Sequence, residues 1–220
     1  MQKYYFLKVI IPILLANSAI WAAPGRIEIQ NNESRYILSA PHGGFDLYTD
    51  VVAESVCREI KWSCIIASGY RGEGEGPNVN RPTQGVKGET PSKEAQEVFE
   101  KYVAAITSLH HPSEILLYVE IHAQRANQNI EVAAVGFSSD ELANLKKIMT
   151  SNIQQAGLTN TTMAVEMIDP IKYKATQAKK IGTLSMVKRA LHLEVPSRLP
   201  VEEQKQLIEF FKISLRQLVN

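Results

Sequence analysis

The chain has 220 residues and a formal charge of +1, with 45% hydrophobic and 21% charged residues. That length supports one domain with a real core and is short for two, and the composition is that of a globular protein. The near-neutral balance offers no basic footprint for a nucleic acid or an anionic membrane, so neither is expected as a partner.

The N-terminus stands apart. Lys3 and Lys8 lead into an apolar run, Val9 to Leu15, and small residues follow up to Ala22 and Ala23. This is the layout of a secretory signal peptide. The run is well short of the roughly 20 residues that span a bilayer. The expectation is therefore a leader over residues 1–22 and a single domain over 23–220, periplasmic or secreted, without stable membrane insertion after cleavage. An uncleaved anchor is the alternative. Loss of the leader removes two of the 24 basic residues against 23 acidic ones, which keeps the chain near neutral.

Residues 27–30 and 35–40 read as a pair of strands turning at Asn31-Asn32. A helix follows over 47–60, with Val51, Val52, Val56 and Ile60 on one face. Residues 63–68 form the next strand. Cys57 and Cys64 flank the turn between that helix and strand. In an exported chain they either bridge it or pack as two buried thiols. A glycine-rich loop then runs over 69–90, long enough to suggest a functional role. Thr90-Pro91 is expected to open a helix reaching about Leu109. His110 and His111 at its end read as helix C-terminal cations. Strands over 115–121 and 130–136 follow. Ser138 and Glu141 have capping-box spacing and open a helix that stops before Gly157. Asp169-Pro170 starts a short helix, 188–195 reads as a strand, and Pro200 opens a final amphipathic helix. Strands alternate with helices, so the expected class is α/β: a three-layer α/β/α arrangement around a mostly parallel or mixed central sheet.

The chemistry-bearing residues fall at strand ends, where open α/β sheets place their sites. His42 lies in Pro41-His42-Gly43-Gly44, whose glycines allow a sharp turn, with Asp46 four residues on. A histidine and a nearby carboxylate suit Zn²⁺. The plainer reading is a loop histidine beside a helix-capping aspartate. Glu120 and His122 are two apart in a strand and so share a face, where Glu120 can orient His122. His192 and Glu194 share a face in the same way. A strand carboxylate there is costly unless something positive is near, and such a group can act as a general base. Ion pairing of Glu194 with Lys188 or Arg189 is the alternative. Asn80 and Arg81 in the long loop offer a fork for a carboxylate. Arg71 and Arg125 are further cations close to these segments.

Taken in order, Pro41-His42-Gly43-Gly44 with Asp46, Asn78-Val79-Asn80-Arg81, Glu120-Ile121-His122 and Glu194-Val195 resemble the N-formylglutamate amidohydrolase and poly-γ-glutamate hydrolase families, which share the zinc carboxypeptidase-like fold. The resemblance runs over roughly residues 36–196. It implies that His42, Asp46 and His122 bind Zn²⁺, that Arg81 with Asn80 holds a substrate carboxylate, and that Glu194 is the general base. The metal-binding carboxylate is often Glu in these families, so Asp50 and Glu54 remain candidates beside Asp46. The implied activity is hydrolysis of an amide bond in a small carboxylate-bearing substrate or peptide. The competing enzyme is a peptidoglycan N-acetylmuramoyl-L-alanine amidase. The competing non-enzyme is an inactive envelope binding protein of the same fold.

Overall fold

Alternating short apolar runs and amphipathic stretches set the order of elements in the computed structural model, which describes residues 25–72 and 74–219. The expected leader lies outside the described residues. In chain order the elements are β1 (Arg26–Gln30), β2 (Tyr36–Gly43), α1 (Thr49–Ile60), β3 (Ser63–Ser68), β4 (Thr83–Gln84), β5 (Thr90–Pro91), α2 (Lys93–Leu109), β6 (Leu117–Gln124), β7 (Asn129–Val135), α3 (Ser139–Gln155), β8 (Thr162–Val165), α4 (Thr176–Ile181), β9 (Ala190–Pro196) and α5 (Val201–Gln217).

Seven strands form one mixed sheet in the order β1-β3-β2-β6-β9-β7-β8. Its centre is parallel: β2 pairs with β3 and β6, and β6 with β9. β1 runs antiparallel on the edge, and β7 turns antiparallel to β9 before pairing in parallel with β8. Both faces are covered. On one, Val52 and Val56 of α1, Leu145 of α3 and Phe210 and Phe211 of α5 pack on Leu38, Val119 and Leu193. On the other, Val98, Tyr102 and Ile106 of α2 pack on Ile37, Ile65 and Tyr118. These layers match the α/β/α expectation.

Four local readings change. The strands flanking Asn31-Asn32 do not pair with each other, because β3 inserts between them. Asn32 instead donates from its side chain to the Trp62 carbonyl (2.7 Å), tying the connection to the start of β3. Thr90-Pro91 does not open α2; it pairs with Thr83 and Gln84 in a two-rung hairpin. Ser92 is the cap, its hydroxyl accepting from the Ala95 N–H at 3.0 Å, which replaces a proline start with a standard side-chain cap. Asp169-Pro170 starts no helix. Asp169 accepts from the Val165 N–H (2.9 Å) and from Lys146 Nζ (2.6 Å), closing a turn after β8. Val51 is 54% exposed, and the buried face of α1 runs through Thr49, Val52, Ala53, Val56 and Cys57. Cys57 and Cys64 are joined across the α1–β3 turn, with Cα atoms 6.0 Å apart. The Ser138–Glu141 capping box is present.

Candidate metal centre and its cleft

The parallel register of β6 and β9 builds the centre of the site. Glu120 faces His192 and His122 faces Glu194, two rungs apart with the Ile121–Leu193 rung between them. Alternation along both strands therefore puts all four side chains on one face. Val119, Ile121, Leu191 and Leu193 go to the opposite face and the core. β6 runs past the expected end at 121 to Gln124, so His122 sits within the ladder, held by strand backbone.

β2 delivers the other half. At its C-terminal end the His42 carbonyl accepts from both the Phe45 N–H (3.1 Å) and the Asp46 N–H (2.8 Å), folding Asp46 back over the strand end. This tight turn needs its two glycines. Gly44 has φ +81°, a left-handed conformation that glycine adopts without cost. A Cβ on Gly43 would lie 2.9 Å from the Asp50 Cβ and 3.1 Å from the Ala67 carbonyl oxygen.

The result is a buried trio. One donor atom from each of His42, Asp46 and His122 lies within 4.8 Å of the other two. Neither Asp50 nor Glu54 joins it: Asp50 bonds the Val51 N–H (2.9 Å), and Glu54 pairs with Arg58 on the exposed side of α1. His122 Nδ1 is 3.2 Å from Asp46 Oδ2, and His122 Nε2 is 3.3 Å from Glu120 Oε2. His42 is 2% exposed, yet both of its ring nitrogens lack a partner among the described residues. A buried imidazole with two orphaned nitrogens is costly. Burial, with the positive charge of Arg71 beside it, holds its pKa well below the ordinary value, so the ring is neutral and has a lone pair to give. Two imidazoles and a carboxylate are a donor set that suits Zn²⁺, so these residues fit a metal ion.

A polar scaffold surrounds the trio. Glu120 is fully buried and accepts from Asn80 Nδ2 (3.0 Å) and from the Thr183 hydroxyl. His192 Nδ1 lies 3.4 Å from Glu120, and its Nε2 lies 3.2 Å from Glu194 Oε1. Burial alone would raise the pKa of Glu120; its bonds with His122 and His192 outweigh that and hold it far down. For His122, burial works downward, and the bonds to Asp46 and Glu120 together push it up to about 9, a proton that a metal at the ring nitrogen would displace. Glu194 behaves like Glu120. Burial opposes ionisation, but the His192 bond and the charges of His192, His122 and Arg71 keep its carboxyl below the usual range. The partner of Glu194 is therefore His192. Arg189 instead pairs with Glu141 (2.8 Å).

These groups open into a cleft of about 900 Å³. Arg71 lies at its floor. Arg71 Nη1 is 3.9 Å from Asp46 Oδ1, Nη2 donates to Asn78 Oδ1 (2.6 Å), and the guanidinium sits 5.1 Å from the Phe45 ring centre. Arg81 and Arg125 also line the cleft, Arg125 from its exposed rim. Asn80 does not. It is fully buried, with Oδ1 accepting from Arg81 Nη1 (2.8 Å) and Nδ2 committed to Glu120, so it steadies Arg81 from behind and does not reach outward. Sequence reasoning missed Glu89, which lines the cleft and binds the Arg81 fork. It also missed Thr183, which anchors Glu120. Neither has a signal in the sequence, because a lone Glu in a glycine-rich loop and a lone Thr after a short helix look like surface residues.

No family model matches this chain, and no curated protein does. Solved structures do. Among them is a bacteriophage poly-γ-glutamate hydrolase, with TM-score 0.52, 14% identity and 89% of each chain covered. The N-formylglutamate amidohydrolase from Ralstonia eutropha aligns with TM-score 0.52 at 12% identity, over 87% of this chain and 96% of its own. A Shewanella denitrificans protein assigned as a carboxypeptidase A gives TM-score 0.55 at 14% identity over 88% of this chain. This chain spans 60% of the length of that last protein. With its parallel strand ends carrying the buried histidines and carboxylates, the chain has the zinc carboxypeptidase-like α/β/α fold.

Proposed function

We propose that the chain is a zinc-dependent hydrolase of amide bonds, acting on a small N-acyl amino acid or peptide that carries a free carboxylate. The observation that carries this reading is the doubly orphaned, neutral, buried His42 beside Asp46 and His122. The names of the amidohydrolase and polyglutamate hydrolase that share the fold support it. His42, Asp46 and His122 would hold the ion. Bound there, it supplies Lewis acidity toward the scissile carbonyl and lowers the pKa of water.

The remaining work belongs to side chains. Glu194 stands on the rung beside His122 and is ionised at neutral pH, so a carboxylate oxygen is ready to take the proton of the attacking water and later give it to the leaving amine. His192 holds the other side of that carboxylate and fixes its direction. Arg71 keeps a cation at the cleft floor for the charge that develops on the carbonyl oxygen. Arg81 reads the substrate carboxylate. The N-terminal leader supports export to a periplasmic or external setting. Among the described residues no helix is long and apolar enough to cross a membrane.

Glu194→Gln tests this directly. Turnover of an N-acyl amino acid should fall by about 10²–10⁴, the range for removing a general acid–base group, while zinc content stays unchanged. Undiminished turnover with full zinc would remove Glu194 from the reaction.

A further inference from the structure

The guanidinium of Arg81 is already holding a carboxylate, and that carboxylate belongs to the chain. Glu89 Oε2 accepts from Arg81 Nε at 2.8 Å, and Glu89 Oε1 accepts from Arg81 Nη2 at 2.5 Å. This is the bidentate, parallel arrangement by which arginine recognises a carboxylate ligand. The third nitrogen, Nη1, donates to Asn80, so all three are engaged. Thr83 adds a hydroxyl to Glu89 Oε2 at 2.8 Å. Burial opposes the charge on Glu89, but the Arg81 bonds outweigh it and its pKa is lowered. The pair is therefore ionised and locally neutral.

Glu89 sits where it can yield. It ends the connection between β4 and β5, a hairpin of two rungs. Val86, Lys87 and Gly88 in that connection are exposed, and Gly85 and Gly88 are both left-handed, at φ +84° and +68°. Apart from its chain neighbours, no described atom lies within 4 Å of a Cβ built on Gly88, so the tip has open space beside it. The Arg81 and Glu89 side chains keep 12% and 21% exposure and both line the cleft, so solvent and ligand reach the pair.

We propose that Glu89 is a built-in competitor for the carboxylate pocket: an internal mimic of the substrate carboxylate that must leave Arg81 before substrate binds, and so sets the affinity threshold for carboxylate-bearing ligands. This rests on the reading of Arg81 as the carboxylate-binding residue. A tethered competitor acts at a high effective concentration. Only ligands that offer further contacts displace it. Free monocarboxylates are rejected, although the arginine would bind them if it stood alone.

The test is binding to the zinc-loaded protein, followed by chemical-shift titration, with every protein compared carrying Glu194→Gln so that the probe is not turned over. The probes are N-acetyl-L-glutamate and its diamide, in which near-isosteric neutral carboxamides replace both carboxylates. Glu89→Gln and Glu89→Ala are compared with wild type and with Arg81→Ala. Glu89→Gln keeps the side-chain shape and can still accept from Thr83, so it guards against misfolding. The expected result is that both Glu89 variants bind N-acetyl-L-glutamate about fivefold more tightly, the order set by releasing one partly exposed ion pair. Binding of the diamide should not change, and Arg81→Ala should lose the preference for the acid. Unchanged or weaker binding of the acid in both Glu89 variants, with Arg81→Ala still losing the preference, overturns the competitor alone. If Arg81→Ala binds the acid as wild type does, the carboxylate assignment of Arg81 falls, and the competitor with it.

Discussion

At the residue scale, the site depends on which buried polar groups are satisfied and which are not. Glu120 is saturated by His122, His192, Asn80 and Thr183; the His42 ring has no partner among the described residues. Saturation makes Glu120 a scaffold group, and its two unpartnered nitrogens make His42 a candidate ligand. The same accounting works far from the cleft. Glu141 closes the capping box by accepting from the Ser138 N–H and hydroxyl, and it also pairs with Arg189, which lowers its pKa to about 2. A depressed folded-state pKa stabilises the protein above the ordinary glutamate value, and the gain disappears as pH falls toward 2. Glu141→Gln should therefore lower Tm at pH 7 and flatten its decline between about pH 4.5 and 2. Melting curves across that range check this, and parallel curves for the two proteins would contradict it.

At the element scale, the ends of three neighbouring parallel strands build the candidate site: β2 gives His42, β6 gives His122 and β9 gives Glu194. The tight turn after β2 is the most demanding of these joints. Gly43→Ala would press a methyl group against Asp50 and the Ala67 carbonyl. Overpacking of this kind costs about 1–3 kcal/mol, and the shift falls on the residue next to His42. The variant should lose stability by that amount in denaturant titration and also bind zinc more weakly. Stability loss with unchanged zinc affinity would show that the turn does not position the ligand.

This turn also shows what the sequence could reveal. Glycines beside a histidine, two-residue spacing in β6 and β9, and strand-end placement were all readable, because they follow from local backbone geometry. The choice of Asp46 over Asp50 or Glu54 was not, since it depends on a chain reversal closed by the His42 carbonyl. The insertion of β3 between β1 and β2 was also hidden, because strand pairing is decided across the whole sheet. The Arg81–Glu89 contact depends on a two-rung hairpin too short to leave a pattern.

At the scale of the whole molecule, β2, β6 and β9 carry apolar side chains toward the layer of α1, α3 and α5, and the face toward α2 changes character at one end of the sheet. There, a dense polar cluster replaces the core between β2, β6 and β9. Such a cluster costs stability unless a cation completes it, so a metal bound there would be coupled to folding. Zinc at about 100 times its Kd should stabilise the protein by about 2.7 kcal/mol. For a chain of this size that is a Tm rise of about 5–10 °C, reversed by a chelator. A melting temperature indifferent to both zinc and chelator would mean that the cluster is complete without metal.

The metal centre is tested most directly by elemental analysis of the purified protein, of Glu194→Gln and of His42→Ala, each dialysed against zinc and then buffer. One zinc per chain is predicted for the first two and essentially none for His42→Ala. Absence of zinc from all three, or a full complement in His42→Ala, would contradict the assignment of His42, Asp46 and His122 as a metal centre.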